Sequence, residues 1–257
     1  MKDIEIGIIG GTRGMGRLFA GFFRKEGYTI FVSGRKTGLD IPTIAKRCQV
    51  VIVSVPISTT CEVIEQVGPY MKKESLLMDL TSLKAEPVKS MLKSSVSEAI
   101  SLHPLFGPVV ESIAGYTIVL CPVRTEKWVD WLKDILVKNG VNIIETTPER
   151  HDELMGLVQG LNHLNSITMG MVLRGSGVDL TELRRFATPM FNTKLALVEK
   201  VFTKNPRLYA EIISLNSNIN RVIELYAKTL SDLKNVINKR DIEAFMELIR
   251  ESSVWES

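Results

Sequence analysis

The sequence predicts a doubly wound parallel α/β sheet over residues 1–147, followed by an all-helical region over residues 148–257. Strand and helix patterns alternate in the first part, beginning with the apolar run at 4–9 and the amphipathic stretch "RLFAGFFRKEG". This alternation favours parallel strands joined by crossover helices. The β-branched run "VVIVSV" is typical of a central strand covered on both faces. From about Pro148 the strand patterns stop, and segments with helical periodicity follow.

Each further element has its own segment. Strands are predicted at "YTIFVSG", "CQVVIVSVP", "SLLMDLTS", 99–102, 116–120 and "VNIIET", and helices at "TTCEVIEQVGPYM", 85–95 and "EKWVDWLKDILVKNG". In the second part, "ERHDELMGLVQGLNHLNSITMGMVLRG" predicts one long helix. Helical periodicity continues in "DLTELRRFA", "PMFNTKLALVEKVFT", "PRLYAEIISLNSNINRVIELYAKTLSDLKNVINK" and "RDIEAFMELIRES".

Composition excludes several function classes. The chain has 257 residues, 45% of them apolar and 24% charged, which is typical of a globular protein. A net charge of +3 is too small to indicate a nucleic acid or a membrane surface as partner. No apolar run approaches the roughly 20 residues that span a bilayer, and the N-terminus predicts a first strand rather than a secretion signal. The three isolated cysteines lack metal or redox spacing, so we expect a cytoplasmic protein.

A glycine-rich turn, "GGTRGMG", separates the first predicted strand from the first predicted helix. Glycines at this place let a backbone approach a pyrophosphate, and the helix N-terminus offers free N–H groups to it. The usual G-x-G-x-x-G spacing is altered, because Arg13 holds the middle place and Gly14 follows it. The context still predicts a Rossmann-like dinucleotide site rather than a merely structural turn. The predicted cofactor-binding residues are Gly10, Gly11, Thr12, Arg13, Gly14, Met15, Gly16, Ser33, Arg35, Lys36, Val55 and Pro56.

The end of the second strand bears on the choice of cofactor. NAD-binding units place Asp or Glu there to hold the ribose 2′-OH, whereas this chain has "SGRKT" at 33–37. Two cations and two hydroxyls suit a 2′-phosphate, and Thr12 and Arg13 of the adjacent glycine turn could add to the same pocket. We therefore expect NADP to be preferred, with NAD as the alternative. The alternative is that Arg35 and Lys36 lie in a solvated turn and do not contact the cofactor.

The chain has three histidines, and His103 in "ISLHPLFGPVV" is the strongest catalytic candidate. It follows a strand at the edge where doubly wound sheets bind ligands, and a histidine near its ordinary pKa can accept a hydroxyl proton. His151 and His163 lie twelve residues apart on one predicted helix, so they differ by about 120° in direction and cannot both face one small atom. "HDELM" lacks the zinc pattern H-E-x-x-H, so no metal site is predicted. For His151, a structural role at a helix start remains an equal alternative.

Several of these segments together resemble the prephenate dehydrogenase family. The resemblance covers essentially the whole chain and includes "GGTRGMGRLFA", "MDLTSLK", "LHPLFGP", "HDELMGLVQGLNH", "LALVEKVF" and "NPRLYAEII". It implies oxidative decarboxylation of prephenate to 4-hydroxyphenylpyruvate with reduction of the nicotinamide, in tyrosine biosynthesis. It also implies that the helical region is a dimerisation domain and that the chain forms a homodimer. The sequence is expected to carry no chorismate mutase helices.

The resemblance assigns roles to individual residues. His103 matches the catalytic histidine, and Ser82 matches a serine that contacts the same substrate hydroxyl. His163 matches a histidine that lines the substrate pocket, and Gln159 shares its motif. Lys84, in the same motif as Ser82, receives no defined role.

One position departs from the family pattern. Lys200 stands where the family commonly has an arginine that grips a substrate carboxylate. Lysine keeps the charge but loses the planar bidentate grip, and Arg184 or Arg185 could assist it. The alternative is a solvated lysine on a helix face.

Other functions remain open at this stage. Arogenate dehydrogenase differs only in acting on an ammonium in place of the side-chain keto group. The β-hydroxyacid dehydrogenases share the fold pairing but would not need "HPLFGP". A non-catalytic NADP-binding sensor or scaffold is the alternative outside the enzymes, and the joint presence of Ser82, His103 and His163 argues against it.

Overall fold

The computed structural model describes residues 4–34 and 37–253, and in this structure seven strands form one sheet in the order β2-β1-β3-β4-β5-β6-β7. Arg35 and Lys36, which the sequence assigns to cofactor binding, lie outside the described residues. The strands are β1 (Glu5–Ile9), β2 (Thr29–Ser33), β3 (Val50–Val53), β4 (Leu76–Asp79), β5 (Glu98–Pro104), β6 (Thr117–Arg124) and β7 (Asn142–Glu145).

Strands β1 to β5 run parallel, as the sequence predicts, but β6 runs antiparallel to β5 and β7 runs parallel to β6. The reversal arises because the chain passes from Pro104 to Thr117 through a loop rather than a crossover helix. A strand that returns without a crossover must pair antiparallel. The doubly wound Rossmann-like sheet is confirmed, and it is mostly rather than wholly parallel.

Helices cover both faces of the sheet because the strands are apolar on both sides. In β3, Val50 and Ile52 enter one buried cluster, whereas Val51 and Val53 enter the other. The first cluster also takes in Phe19, Phe23, Trp131 and Leu132, and the second takes in Ile44, Ile64 and Met91. The helices are α1 (Gly14–Lys25) and α5 (Trp128–Lys138) on the first side, and α2 (Ile41–Arg47), α3 (Ile57–Val67) and α4 (Ala85–Ser94) on the second.

The short helix α2 has no counterpart in the sequence prediction. It spans 7 residues and is capped by Asp40, whose side chain accepts a hydrogen bond from the Thr43 N–H. Fewer than two turns give too few apolar positions for a periodicity to emerge. The cap and the proline beside it are its sequence signals.

After β7 the chain is helical, as predicted. The segment predicted as one long helix is continuous, but its middle is wound as a π-helix. The region consists of α6 (Pro148–Met155), the π-helical segment (Gly156–Leu161), α7 (Asn162–Gly175), α8 (Leu180–Arg185), α9 (Pro189–Thr203), α10 (Pro206–Ser214), α11 (Ile219–Lys239) and α12 (Ile242–Glu251). The segment "PRLY…INK" is thus two helices separated by residues 215–218. No helix within residues 4–34 and 37–253 is long and apolar enough to cross a membrane.

Polar contacts join the sheet to the helical region. The Asp152 carboxylate of α6 accepts hydrogen bonds from the backbone N–H groups of Lys84 (2.8 Å) and Ala85 (2.9 Å) at the start of α4. Ser58 of α3 donates to Glu211 of α10 at 2.8 Å. These contacts place α6 against the carboxyl ends of β4 and β5.

Candidate active site

The glycine turn has the shape that a dinucleotide requires. Gly10 has φ +84°, and a Cβ there would collide with the Ser54 carbonyl oxygen. A Cβ on Gly16 would lie 2.7 Å from the Gly10 carbonyl oxygen, so α1 packs closely on the turn. In the part of the chain that the structure describes, no side chain caps α1 at Arg13, and its first turn, which begins at Gly14, carries no acidic residue. The free N–H groups of this helix end fit the pyrophosphate of a nicotinamide dinucleotide.

The end of β2 lies against this turn. The Gly10 N–H donates to the Ser33 carbonyl at 2.8 Å, and a Cβ on Gly34 would lie 3.0 Å from the Thr12 side chain. Ser33 is buried, and its hydroxyl donates to the Leu39 carbonyl at 2.8 Å.

The Thr37 hydroxyl donates to the Gly34 carbonyl at 2.9 Å and accepts from the Gly34 N–H at 2.8 Å. The sequence predicts that the hydroxyls of Ser33 and Thr37 help to bind a phosphate. In the structure both hydroxyls donate hydrogen bonds to backbone carbonyls of the turn instead. The predicted contacts with a 2′-phosphate therefore rest on the cations alone, which are the exposed Arg13 together with Arg35 and Lys36.

Asp40 is the first acidic residue after β2, and it caps α2 through Thr43 at 2.8 Å. On the neighbouring strand, Val55 and Pro56 follow β3 beside the glycine turn. Val55 lies 3.2 Å from the position of a Gly10 Cβ, and the Pro56 carbonyl accepts the Thr59 N–H at 3.0 Å.

His103 lies near the end of β5, opposite Val119 of β6, and is only 3% exposed. Its Nδ1 is 2.9 Å from Nε2 of His151, and Nδ1 of His151 is 2.7 Å from the Asp152 carboxylate. Both partners are also buried. We call this hydrogen-bonded series, His103–His151–Asp152, the histidine chain.

The histidine chain fixes where the protons lie. A carboxylate only accepts hydrogen bonds, so neutral His151 carries its proton on Nδ1 and presents the lone pair of Nε2 to His103. His103 then carries its proton on Nδ1, and its own Nε2 is left with a lone pair. This is the protonation state of a general base.

Burial lowers the pKa of His103 well below its ordinary value, and the neighbouring His151 and Lys84 act in the same direction. The sequence analysis expected a histidine near its ordinary pKa, and the structure differs because the ring lies inside the protein. A neutral imidazole is therefore maintained to lower pH than in water.

Gln159 approaches the same nitrogen from the helical region. Its Nε2 lies 3.3 Å from Nε2 of His103, and its Oε1 is buried without a hydrogen-bond partner among the described residues. The side chain projects from the π-helical segment, which packs against α11 so closely that a Cβ on Gly160 would lie 2.7 Å from Ile219. π-helical turns of this kind redirect side chains and are frequent at functional sites.

The other predicted substrate residues form a second group. The ring of His163, half-buried on α7, meets the ring of Tyr209 edge-on, with centroids 4.7 Å apart. Burial lowers the pKa of His163, and the positive charge of Lys200 lowers it further. Lys200 itself is exposed on α9. Ser82 is half-buried between β4 and α4, and its hydroxyl has no hydrogen-bond partner in the described chain.

Sequence reasoning missed the role of His151 and Asp152. It tested His151 against His163 on the same helix, whereas the partner of His151 is His103, which lies 48 residues earlier on a strand. The helix start is capped by Thr147, whose side chain accepts from the Arg150 N–H at 3.2 Å. The adjacent pair "HD" at that helix start was the available signal, because a buried carboxylate beside a histidine orients the ring.

Comparison with known proteins agrees with this architecture. The prephenate dehydrogenase nucleotide-binding domain matches residues 31–145, beginning after the glycine turn. The prephenate dehydrogenase dimerization domain matches residues 147–251. The chain belongs to the prephenate dehydrogenase family. Curated members include a probable arogenate/prephenate dehydrogenase of Methanocaldococcus jannaschii, which is 32% identical over 98% of this chain. The T-protein of Haemophilus influenzae is also 32% identical over 98% of the chain.

This prephenate dehydrogenase family chain is shorter than those relatives, since it spans 60% of the first and 67% of the second. Two solved structures share its fold. Prephenate dehydrogenase from A. aeolicus, in complex with hydroxyphenyl propionate and NAD+, superposes with a TM-score of 0.79 at 21% identity, covering 96% of this chain and 95% of that one. Synechocystis arogenate dehydrogenase superposes with a TM-score of 0.74 at 18% identity, covering 97% of each chain.

Proposed function

We propose that this chain is a prephenate dehydrogenase, which converts prephenate to 4-hydroxyphenylpyruvate and CO₂ while reducing NADP in preference to NAD. The observation that carries the proposal is the histidine chain, which leaves an unprotonated Nε2 on buried His103 at the carboxyl edge of the sheet. The family relationship supports the same reaction class.

In the proposed reaction His103 moves one proton. The O–H bond of the substrate C4 hydroxyl breaks, and its proton passes to Nε2 of His103 as C4 becomes a carbonyl carbon. The chemistry that a bound nicotinamide supplies is acceptance of the hydride that leaves C4. The ring carboxylate then leaves as CO₂, its bonding electrons aromatise the ring, and His103 returns the proton to the oxygen. While His103 holds the proton, the Asp152 carboxylate stabilises the positive charge of the histidine chain through His151.

The remaining predicted residues bind the substrate in this proposal. Gln159 orients the C4 hydroxyl, because its amide already lies beside Nε2 of His103. Ser82 contacts the same hydroxyl. His163 and Lys200 lie close enough to influence each other's charge, and together they suit the substrate carboxylates.

The cofactor would be held by residues 10–16, Ser33, Val55 and Pro56, with its pyrophosphate at the N-terminus of α1. The preference for NADP rests on Arg13, Arg35 and Lys36 and on the engagement of Asp40 in a helix cap. Arg35→Ala is expected to weaken NADP binding by about tenfold and to leave NAD binding unchanged, because only the 2′-phosphate is contacted. Fluorescence titration with both cofactors measures this, with Arg24→Ala as the control. Equal losses for NAD and NADP would refute the 2′-phosphate pocket.

Arogenate dehydrogenase is the second candidate, favoured by the names of the relative from Methanocaldococcus jannaschii and of the Synechocystis structure. One assay separates the two candidates. Prephenate and arogenate are each supplied with NAD and with NADP, and formation of the reduced cofactor is followed by absorbance. We expect the highest kcat/KM with prephenate and NADP. Cofactor binding without turnover in all four combinations would indicate the sensor or scaffold instead.

We also propose that the chain divides at residues 147–148, that residues 148–257 dimerise, and that the enzyme is cytoplasmic, with no nucleic acid or membrane partner. Support comes from the exposed apolar side chains of the helical region, which include Met171, Phe186, Leu230 and Ile249. Sedimentation of the full chain should give the mass of two copies. A monomer at micromolar concentration would contradict the dimer.

A further inference from the structure

A buried lysine lies directly behind the histidine chain. The side chains of Lys84 and Asp79 are both 0% exposed, and the Lys84 ammonium is 2.6 Å from the Asp79 carboxylate. The same ammonium donates to the Leu102 carbonyl at 2.7 Å. Removing such charges from water is costly, so an ion pair at this depth stabilises a fold only weakly and is often retained for another reason.

The surroundings of Asp79 hold this pair in one geometry. The Thr81 hydroxyl and N–H donate to the carboxylate at 2.6 Å and 2.9 Å, and the Ser101 hydroxyl donates to its other oxygen. The carboxylate is therefore fully hydrogen-bonded, and the ammonium of Lys84 cannot swing away without leaving Asp79 unpaired.

Lys84 contacts Asp152 at one end of the histidine chain and the residue next to His103 at the other. Its ammonium binds the carbonyl of Leu102, the residue that precedes His103 in β5. Its backbone N–H donates to the Asp152 carboxylate at 2.8 Å, at the other end of the histidine chain. One residue thus fixes the strand that carries the base and the carboxylate that orients it.

We propose that Lys84 is a positioning residue for the proton transfer at His103, because it holds Asp152 at one end of the histidine chain and the strand that carries His103 at the other. The proposal rests on the proposed function, because it concerns the same proton transfer. Lys84 acts through its neighbours and is not assigned a contact with substrate.

The charged and titratable groups around His103 come from four elements. His151 and Asp152 lie on α6, Lys84 precedes α4, Asp79 ends β4, and Cys121 lies on β6. Burial raises the pKa of the Cys121 thiol to about 12, so it stays neutral. Burial lowers the pKa of His103, and His151 and Lys84 lower it further.

The test removes both charges at once, because removing only Lys84 would strand a buried carboxylate. The double variant Asp79→Asn/Lys84→Met keeps one accepting oxygen for the Thr81 hydrogen bonds at residue 79 and most of the side-chain length at residue 84. Lys89→Met is the matched control, since Lys89 lies on α4, the helix that Lys84 precedes, but is exposed and paired with Glu86. Circular dichroism of the full chain verifies folding. The His103 ring is titrated by NMR, with its resonance assigned from its absence in His103→Asn.

We expect the His103 titration midpoint to rise by about 0.5 pH unit in the double variant. The positive charge of Lys84, which lowers the pKa of His103, is removed, and loss of the Asp79 charge offsets part of this rise. The acid limb of kcat/KM should move by the same amount, and kcat should fall by about 10- to 100-fold as the base loses its alignment. KM for substrate and cofactor should change little. The control should match the wild-type protein in every measurement.

Two results with the double variant would overturn the proposal. One is a folded double variant with an unmoved His103 midpoint, which reduces Lys84 to a structural residue. The other is an unmoved midpoint with KM for prephenate raised more than about tenfold, which makes Lys84 a substrate ligand. If the double variant does not fold, Asp79→Asn/Lys84→Gln replaces it. A wild-type His103 midpoint at or above 6.5 overturns the proposal with no variant needed.

The NMR titration also separates this proposal from the proposed function. The titration needs no turnover. A shifted His103 midpoint in a protein that is inactive on prephenate and arogenate would therefore support the effect of Lys84 on His103 and contradict the proposed dehydrogenase activity.

Discussion

His103 and His163 are assigned to one active site, yet their surroundings are opposite. His103 is 3% exposed, and both of its ring nitrogens have partners on the helical region. His163 is half-buried, packs edge-on against Tyr209 and lies near the charge of exposed Lys200. Burial is the largest cause of a lowered pKa in both.

Under the proposed function, this difference predicts a catalytic role for His103 and a substrate-binding role for His163 and Lys200. A base needs one protonation state and one direction, and the buried histidine chain supplies both. A carboxylate-binding group needs access from solvent and a charge that attracts the ligand, which the His163 and Lys200 group provides. Damage to the first group should lower kcat, whereas damage to the second should raise KM.

The largest effect should come from His103→Asn. Asparagine cannot accept the proton at neutral pH, so kcat should fall by about 10²- to 10⁴-fold while cofactor binding persists. Steady-state kinetics and cofactor titration measure this. His163→Asn is the matched change in the other group and should mainly raise KM. Near-normal turnover by His103→Asn would contradict the proposed difference in roles.

Asp152→Asn tests the far end of the histidine chain. The new amide can donate to Nδ1 of His151, which would reverse both histidine tautomers and place a proton on Nε2 of His103. We expect kcat to fall by about 10- to 100-fold with KM unchanged. Glu153→Gln, an exposed neighbour paired with Arg150, is the control. Equal activities of the two variants would show that Asp152 does not orient the base.

Lys200→Ala should raise KM for prephenate by about tenfold and leave kcat nearly constant, because it removes a charged hydrogen-bond donor from the recognition group. Lys200→Arg should restore binding, since the guanidinium grips a carboxylate with two donors. Lys204→Ala, exposed at the end of the same helix, is the control. An unchanged KM would indicate that Lys200 is a solvated lysine on a helix face and does not bind the substrate.

The smallest effect concerns stability at low pH. Folding lowers the pKa of His103, so below the ordinary value of 6.5 the unfolded chain binds more protons than the folded one. Its contribution to stability is therefore complete above pH 6.5 and is lost as the pH falls through the folded-state pKa. Urea unfolding at pH 7 and pH 5 should show a larger loss for wild-type protein than for His103→Asn. The half-buried His163 should contribute less, which His163→Asn measures.

Local sequence patterns predicted most of the fold, including the parallel strands β1 to β5, but not the reversal of direction at β6. Alternating apolar segments placed the strands from β1 to β7, because burial on both faces needs apolar runs. Those runs carry no direction, so the antiparallel β6 came from the loop at 105–116. The π-helical segment (Gly156–Leu161) was also missed, because an α-helix and a π-helix share nearly the same apolar pattern over six residues.

The candidate site was predictable only in part. The family resemblance grouped Gln159 with His163, whereas the structure places the Gln159 amide 3.3 Å from Nε2 of His103. The hydroxyls of Ser33 and Thr37 were assigned to a phosphate pocket, but the turn uses them internally. Short polar side chains in turns bind whichever backbone group is near, and sequence does not say which.

By itself, the sequence determined the sheet with its glycine turn, the helical region and the choice of His103 as the catalytic candidate, because periodicity and motif spacing are local properties. Only the tertiary structure decided what surrounds His103. It joined the ring to His151, oriented both through Asp152 and placed Lys84 behind them. These partners come from segments far apart in the chain, and a hydrogen bond between such segments depends on packing rather than on spacing.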